Sequence, residues 1–121
     1  MQLSSDQLRR YRAGLQQKLK HQQEAQLQKQ QRGWEVARQA AQILKSRWGA
    51  SKVILFGSML EAKKVHDRSD IDLAVWGLSP DDYFRTLSEL LDLDPEFAID
   101  LVEIEQAKPL IRQAIQAGVE L

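Results

Sequence analysis

The chain has 121 residues, 43% of them hydrophobic, which is enough for one domain with a modest core. It contains no cysteine, which excludes a disulfide framework and thiolate chemistry and fits a reducing, cytoplasmic setting. No apolar run approaches the ~20 residues of a membrane span, and the N-terminus lacks the apolar core of an export signal. The net charge of zero hides a split: residues 1–50 hold ten Lys/Arg against three Asp/Glu, and residues 51–121 hold seven against fourteen, giving +7 and −7. Two such halves suit an electrostatically complementary partner or self-association.

The first fifty residues read as one long helix. Ser4 to Gln7 is a candidate capping box, and no proline interrupts the run to Trp48-Gly49. Leu8, Tyr11, Leu15, Leu19, Leu27, Trp34, Ala37, Ala41, Leu44 and Trp48 recur near a 3.6-residue period, which makes one apolar stripe. Gln23 and Gln30 interrupt the stripe, and residues 16–31 are largely Gln and Lys. So polar a stretch has no core of its own to hold it; it projects, frays or is covered by a partner. Gly14 and Gly33 are candidate kinks, each costing about 1 kcal/mol relative to Ala. The chain is therefore divided into an N-terminal helical arm, 1–33, and a domain, 34–121, with Trp34 to Trp48 packed on a sheet. The arm reads as a docking element for another subunit or a partner protein, with a frayed extension as the alternative. It lacks the aromatic interleaving that would suit nucleic acid.

Val53 to Phe56 is a short apolar strand ending at Gly57-Ser58. Met59 to Lys64 are good helix formers, so Ser58 is expected at a helix N-terminus, where unpaired N–H groups suit phosphate oxygens. Ile71 to Trp76 alternates as a second strand, with Asp70 and Asp72 side by side on one face. Two carboxylates that close repel unless a cation or proton lies between them, and magnesium favours such oxygens. Phe97 to Ile104 is a third strand, expected in the sheet interior, on which Asp100 is a lone carboxylate among apolar neighbours. An isolated buried carboxylate calls for a partner, and deprotonating an attacking hydroxyl would give it a task. His66, before the aspartates, and His21, in the Gln-rich helix, read as exposed.

Ser79-Pro80-Asp81-Asp82 signals a helix start, with Tyr83, Phe84, Leu87, Leu90 and Leu91 as its buried stripe. A last helix begins near Pro109, buries Leu110, Ile111, Ala114 and Ile115, and stops at Gly118. The expected class is α+β: a small mixed β-sheet with helices mainly on one face, plus a long N-terminal helix. The Gly-Ser turn and the three aspartates should meet at one edge of that sheet.

Gly-Ser, an eleven-residue gap, SDIDLAV and a later IDLV strand resemble the minimal nucleotidyltransferases of the DNA polymerase beta-like superfamily. The resemblance runs from about Lys45 to Leu121 and includes the closing helix and its Gly-Val-x-Leu tail. It implies a phosphate-binding Gly57-Ser58, a metal-binding pair Asp70 and Asp72, and a third carboxylate, Asp100. Two Mg2+ ions and ATP as substrate follow from the same resemblance. Family members often carry Ala-Arg-Gly after the Gly-Ser, whose Arg helps hold the triphosphate. Here Met59 to Lys64 has neither that Arg nor a second Gly. Lys63, Lys64 and Arg68 are the candidates to replace it, as point charges or from a different place. Proteins of this size resemble antitoxins that adenylylate a tyrosine of a HEPN-domain ribonuclease toxin, which implies such a toxin as partner. The rivals are an inert module that neutralises a partner by docking, and a nucleotidyltransferase acting on a small molecule.

Overall fold

The computed structural model describes residues 2–121, so Met1 of the arm lies outside the described residues. Helix α1 runs unbroken from Ser5 to Arg47, about 65 Å long. Its capping box forms: Ser4 Oγ accepts the Gln7 N–H at 3.2 Å and Gln7 Oε1 accepts the Ser4 N–H at 2.8 Å. Neither glycine breaks the helix. Gly14 stands in open space, whereas a Cβ on buried Gly33 would lie 2.5 Å from Met59 Sδ. Gly33 is therefore the point at which another segment lies against the helix backbone. Residues 2–25 are exposed, and contact with the rest of the chain is established from Gln26 onward. Thus residues 26–33, placed with the arm by their polarity, lie against the domain.

Beyond Gly33 the helix turns Val36, Ala37, Ala40, Ala41 and Leu44 inward. The alanines let it approach the sheet closely. The strands are β1 (Lys52–Phe56), β2 (Ile71–Trp76), β3 (Ile99–Glu103) and β4 (Val119–Glu120), in the order β3-β2-β1-β4. β1 is antiparallel to β2 and β4, and β2 is parallel to β3. The alternation of β1 and β2 decides the faces. Val53, Leu55, Ile71, Leu73 and Val75 join the main core under α1, and Phe56 and Ala74 form a smaller cluster on the other face. Helix α2 (Tyr83–Leu91) makes the crossover between the parallel strands and adds Leu90 to the main core. Short α3 (Pro109–Gln116) covers the second face with Ile115. The fold is α+β, a mixed four-stranded sheet with its long helix on one side.

Four expectations need correction. Met59 to Lys64 does not form an α-helix: it makes two single-turn 3-10 helices, Gly57–Leu60 and Ala62–Lys64, separated by extended Glu61. Buried Met59 packs the first turn against α1 at Gly33. Asp100 is exposed: Ile99 and Leu101 of edge strand β3 face the main core, and alternation turns Asp100 to the opposite face of the sheet. In α2, Tyr83, Thr86, Leu87 and Leu90 face inward at helical spacing, so Phe84 and Leu91 point to solvent. In α3, Ile115 is buried and Leu110 and Ile111 are exposed, since so short a helix covers only part of the sheet. β4 was not foreseen; two residues carry no period. Gly118 allows it, since a Cβ there would fall 2.6 Å from the Leu55 carbonyl oxygen.

Candidate functional site

The strand registers build the site. Phe56 pairs with Asp72 and Asp72 with Asp100, so Gly57, Asp72 and Asp100 align at one end of three adjacent strands. Asp70 precedes the first residue of β2. Asp72 is half-buried, and Asp70 and Asp100 are exposed. The Asp72 carboxyl is pushed up from 3.8 to about 6, first by burial, then by the charges of Asp100 and Asp70. Asp100 and Asp70 thus both bear on Asp72.

Gly57 has a φ of 83°, and a Cβ on it would lie 2.2 Å from Asp72 Oδ2. Only glycine lets the turn sit on that carboxylate. Ser58, half-buried, follows in the turn, and its carbonyl accepts the Glu61 N–H at 3.2 Å. The Gly-Ser pair and the aspartates therefore do meet at one sheet end. Among the described residues, no three His, Cys, Asp or Glu side chains are drawn together as a ready-made metal cage. An all-oxygen donor set under mutual repulsion nevertheless fits a divalent cation such as Mg2+, which would relieve that repulsion. None of the main surface clefts, of about 220 to 490 Å³, is lined by Asp70, Asp72 or Asp100, so the site is an open edge.

The side chains of Lys63 and Arg68 are exposed and make no ion pair among the described residues, while Lys64 pairs with Glu61 at 3.2 Å. His66 is exposed, and its Nδ1 accepts the Arg68 N–H at 3.1 Å. Buried Ser69 closes this turn: its Oγ accepts the His66 N–H at 2.8 Å, and its N–H donates to the His66 carbonyl at 3.0 Å. Tyr83 donates its hydroxyl to the Leu101 carbonyl on edge strand β3 at 2.6 Å. Burial and the charges of Asp100 and Glu103 push that phenol above its ordinary value.

Sequence reasoning missed the polar side chains by which α1 holds this region. Gln26 donates to the Val65 carbonyl, Lys29 to those of His66 and Asp67, and Gln30 and Trp34 to that of Met59. A signal was present. Gln26, Lys29 and Gln30 extend the buried face of Gly33, Val36, Ala37 and Ala40 at helical spacing. A polar residue in such a row faces polar backbone.

No curated protein matches the chain. A chain of a solved complex, tri-AMPylated Shewanella oneidensis HEPN toxin with MNT antitoxin, is similar over 78% of this chain and 70% of that one, at 20% identity and a TM-score of 0.45. Residues 38–121 match the polymerase beta, nucleotidyltransferase family, and that span takes in both the Gly-Ser turn and the three aspartates. The chain belongs to the polymerase beta nucleotidyltransferase family.

Proposed function

We propose that this chain transfers a nucleoside monophosphate, AMP from ATP, to a tyrosine hydroxyl of a HEPN-family toxin and so acts as its antitoxin: the tyrosine oxygen bonds to the alpha phosphorus, the bond from that phosphorus to the bridging oxygen breaks, and pyrophosphate leaves. One observation carries the catalytic half of this reading. The strand registers bring Asp72 beside Asp100 and under Gly57, where burial first, and then the charges of Asp100 and Asp70, raise its carboxyl to about 6. Asp70, Asp72 and Asp100 would hold Mg2+. The bound metal would supply charge neutralisation for the triphosphate and a more acidic acceptor hydroxyl. The chain's own residues do the rest. Gly57 lets the backbone approach the phosphates, and Ser58 adds a hydroxyl beside them. Asp100, exposed on the edge strand, stands where an incoming hydroxyl can reach it and accept or direct its proton. Lys63 and Arg68 are free to swing onto phosphate oxygens in place of the family arginine.

The acceptor is assigned on different grounds. The site is an open edge, so a partner must supply the walls around the reacting hydroxyl. The free part of α1 offers a docking surface, with Leu8, Tyr11, Leu15 and Leu19 exposed along it amid basic residues. The resemblance to minimal nucleotidyltransferase antitoxins names the partner class.

The test is intact-mass analysis of a co-expressed HEPN protein after incubation with this chain, ATP and Mg2+. A gain of one or more AMP units that disappears with Asp70→Asn/Asp72→Asn is expected. A tight complex without any mass gain would replace the enzyme by an inert docking module. Transfer to an added small-molecule alcohol and none to protein would displace the toxin as acceptor.

A further inference from the structure

Lys29 is an anomaly on α1. It is only 9% exposed, and its ammonium lies 5.7 Å from the centre of the Phe97 ring. Among the described residues no carboxylate pairs with it. A lysine withdrawn from water without a counter-ion is unfavourable unless its hydrogens are well bonded. Here they go to two consecutive carbonyls, those of His66 and Asp67, each at 2.8 Å.

Those carbonyls belong to the loop that delivers Asp70. The His66 carbonyl accepts both from Lys29 and from the Ser69 N–H, and Ser69 Oγ accepts in return from the His66 N–H. Lys29 is therefore bonded into the closed turn whose next residue is Asp70. One turn earlier on the helix, Gln26 holds the Val65 carbonyl at 2.9 Å. One residue later the helix serves a different segment. Gln30 and Trp34 hold the Met59 carbonyl at 3.1 and 3.0 Å, just past Gly57-Ser58. Helix α1 thus grips the two halves of the site through separate residues.

From this geometry we infer that Lys29 is a positioning residue: it orders the 65–69 loop so that Asp70 is presented beside Asp72. The inference rests on the proposed function for its kinetic consequence and on the hydrogen bonds alone for its effect on the loop. A lysine that merely fastened the helix would lower thermal stability and leave the folded protein's metal affinity and kinetics unchanged.

The experiment uses the full chain with Lys29→Met, Lys29→Arg and Gln30→Ala. For Lys29→Met, amide exchange at Ser69 should rise about tenfold relative to Leu73 in the central strand. Affinity for Mn2+ alone should weaken about tenfold, the size expected for loss of a group that orients ligands. The turnover number should fall by a similar factor with KM for ATP changed less than about twofold. Lys29→Arg, which restores donors to both carbonyls, should recover most of each loss. Gln30→Ala should instead raise KM for ATP. A folded Lys29→Met protein with wild-type Ser69 exchange and Mn2+ affinity overturns the inference. Should that variant fail to fold, Lys29→Gln, which can reach at most one of the two carbonyls, is the substitute, with Ser69 exchange raised about threefold; unchanged exchange there overturns it equally. If the wild-type protein neither binds Mn2+ nor transfers nucleotide, the proposed function falls, and Ser69 exchange still decides whether Lys29 orders the loop.

Discussion

Asp72 carries the electrostatic stress of the site, and its linkage to pH has a definite sign. Its carboxyl is raised from 3.8 to about 6, so the folded state keeps a proton that the unfolded chain releases. The contribution is fully favourable below 3.8, and stability is lost as pH climbs through about 6. Asp72→Asn removes the charge and should raise stability at pH 8 by roughly 1 kcal/mol, a figure reduced for the partial exposure of the group. Thermal unfolding at pH 8 and pH 4 in chelator checks this: the gain should vanish at the lower pH. The same substitution should abolish nucleotide transfer. At Gly57 the left-handed φ and the carboxylate 2.2 Å from a virtual Cβ act together. Gly57→Ala should cost about 1–3 kcal/mol and displace Asp72. Urea unfolding and transfer assays on one preparation would show both losses.

At the scale of elements, α1 poses the most direct question, because one substitution should have opposite effects at its two glycines. Gly14→Ala meets no atom within 4 Å and should stabilise the helix by up to about 1 kcal/mol. Gly33→Ala gains the same propensity but drives a methyl to within 2.5 Å of Met59 Sδ in the closed core. Overpacking of that kind costs about 1–3 kcal/mol, so a net loss is expected. Far-UV circular dichroism for the first variant and denaturant midpoints for both would decide it. Removal of residues 2–21 should leave the melting temperature within about 2 °C, because among the described residues no hydrogen bond from that stretch reaches beyond helix α1. It should also abolish binding of the partner, measured by calorimetry.

For the whole molecule, the charge split sets the terms of association. The free part of α1 is basic and the sheet domain is acidic. The proposed docking of the basic arm on its partner should weaken as salt rises from 50 to 500 mM, more in association rate than in dissociation rate. Stopped-flow measurement at several ionic strengths tests this. A salt-independent affinity would assign the contact to Leu8, Tyr11, Leu15 and Leu19 alone. The topology has its own consequence. The acidic cluster is assembled from β2 and β3, strands joined through α2, so the site exists only when the parallel pairing has formed.

Much of this was legible in the chain. Strand alternation put Ile71, Leu73 and Val75 on the core face and Asp72 on the other, the apolar run set β1, and the cap at Ser4 set the start of α1. These are local effects: a period of two or 3.6 and a capping side chain act within a few residues. Other features depended on the packing of distant segments. Asp100 is exposed because it faces away from the main core that covers Ile99 and Leu101, and which face of a strand is covered is not written in any one strand. Met59 to Lys64 form tight turns, with Met59 packed under Gly33 and its carbonyl held by Gln30 and Trp34 of the distant helix. β4 exists because β1 offers it an edge to pair with. Gln30 looked like a gap in an apolar stripe, and Lys29 belonged to a Gln- and Lys-rich stretch with no core of its own, until the loops that bear Met59 and His66 supplied the carbonyls they bond. A side chain's polarity is a local property, but what it pays to satisfy is decided only when the rest of the chain arrives.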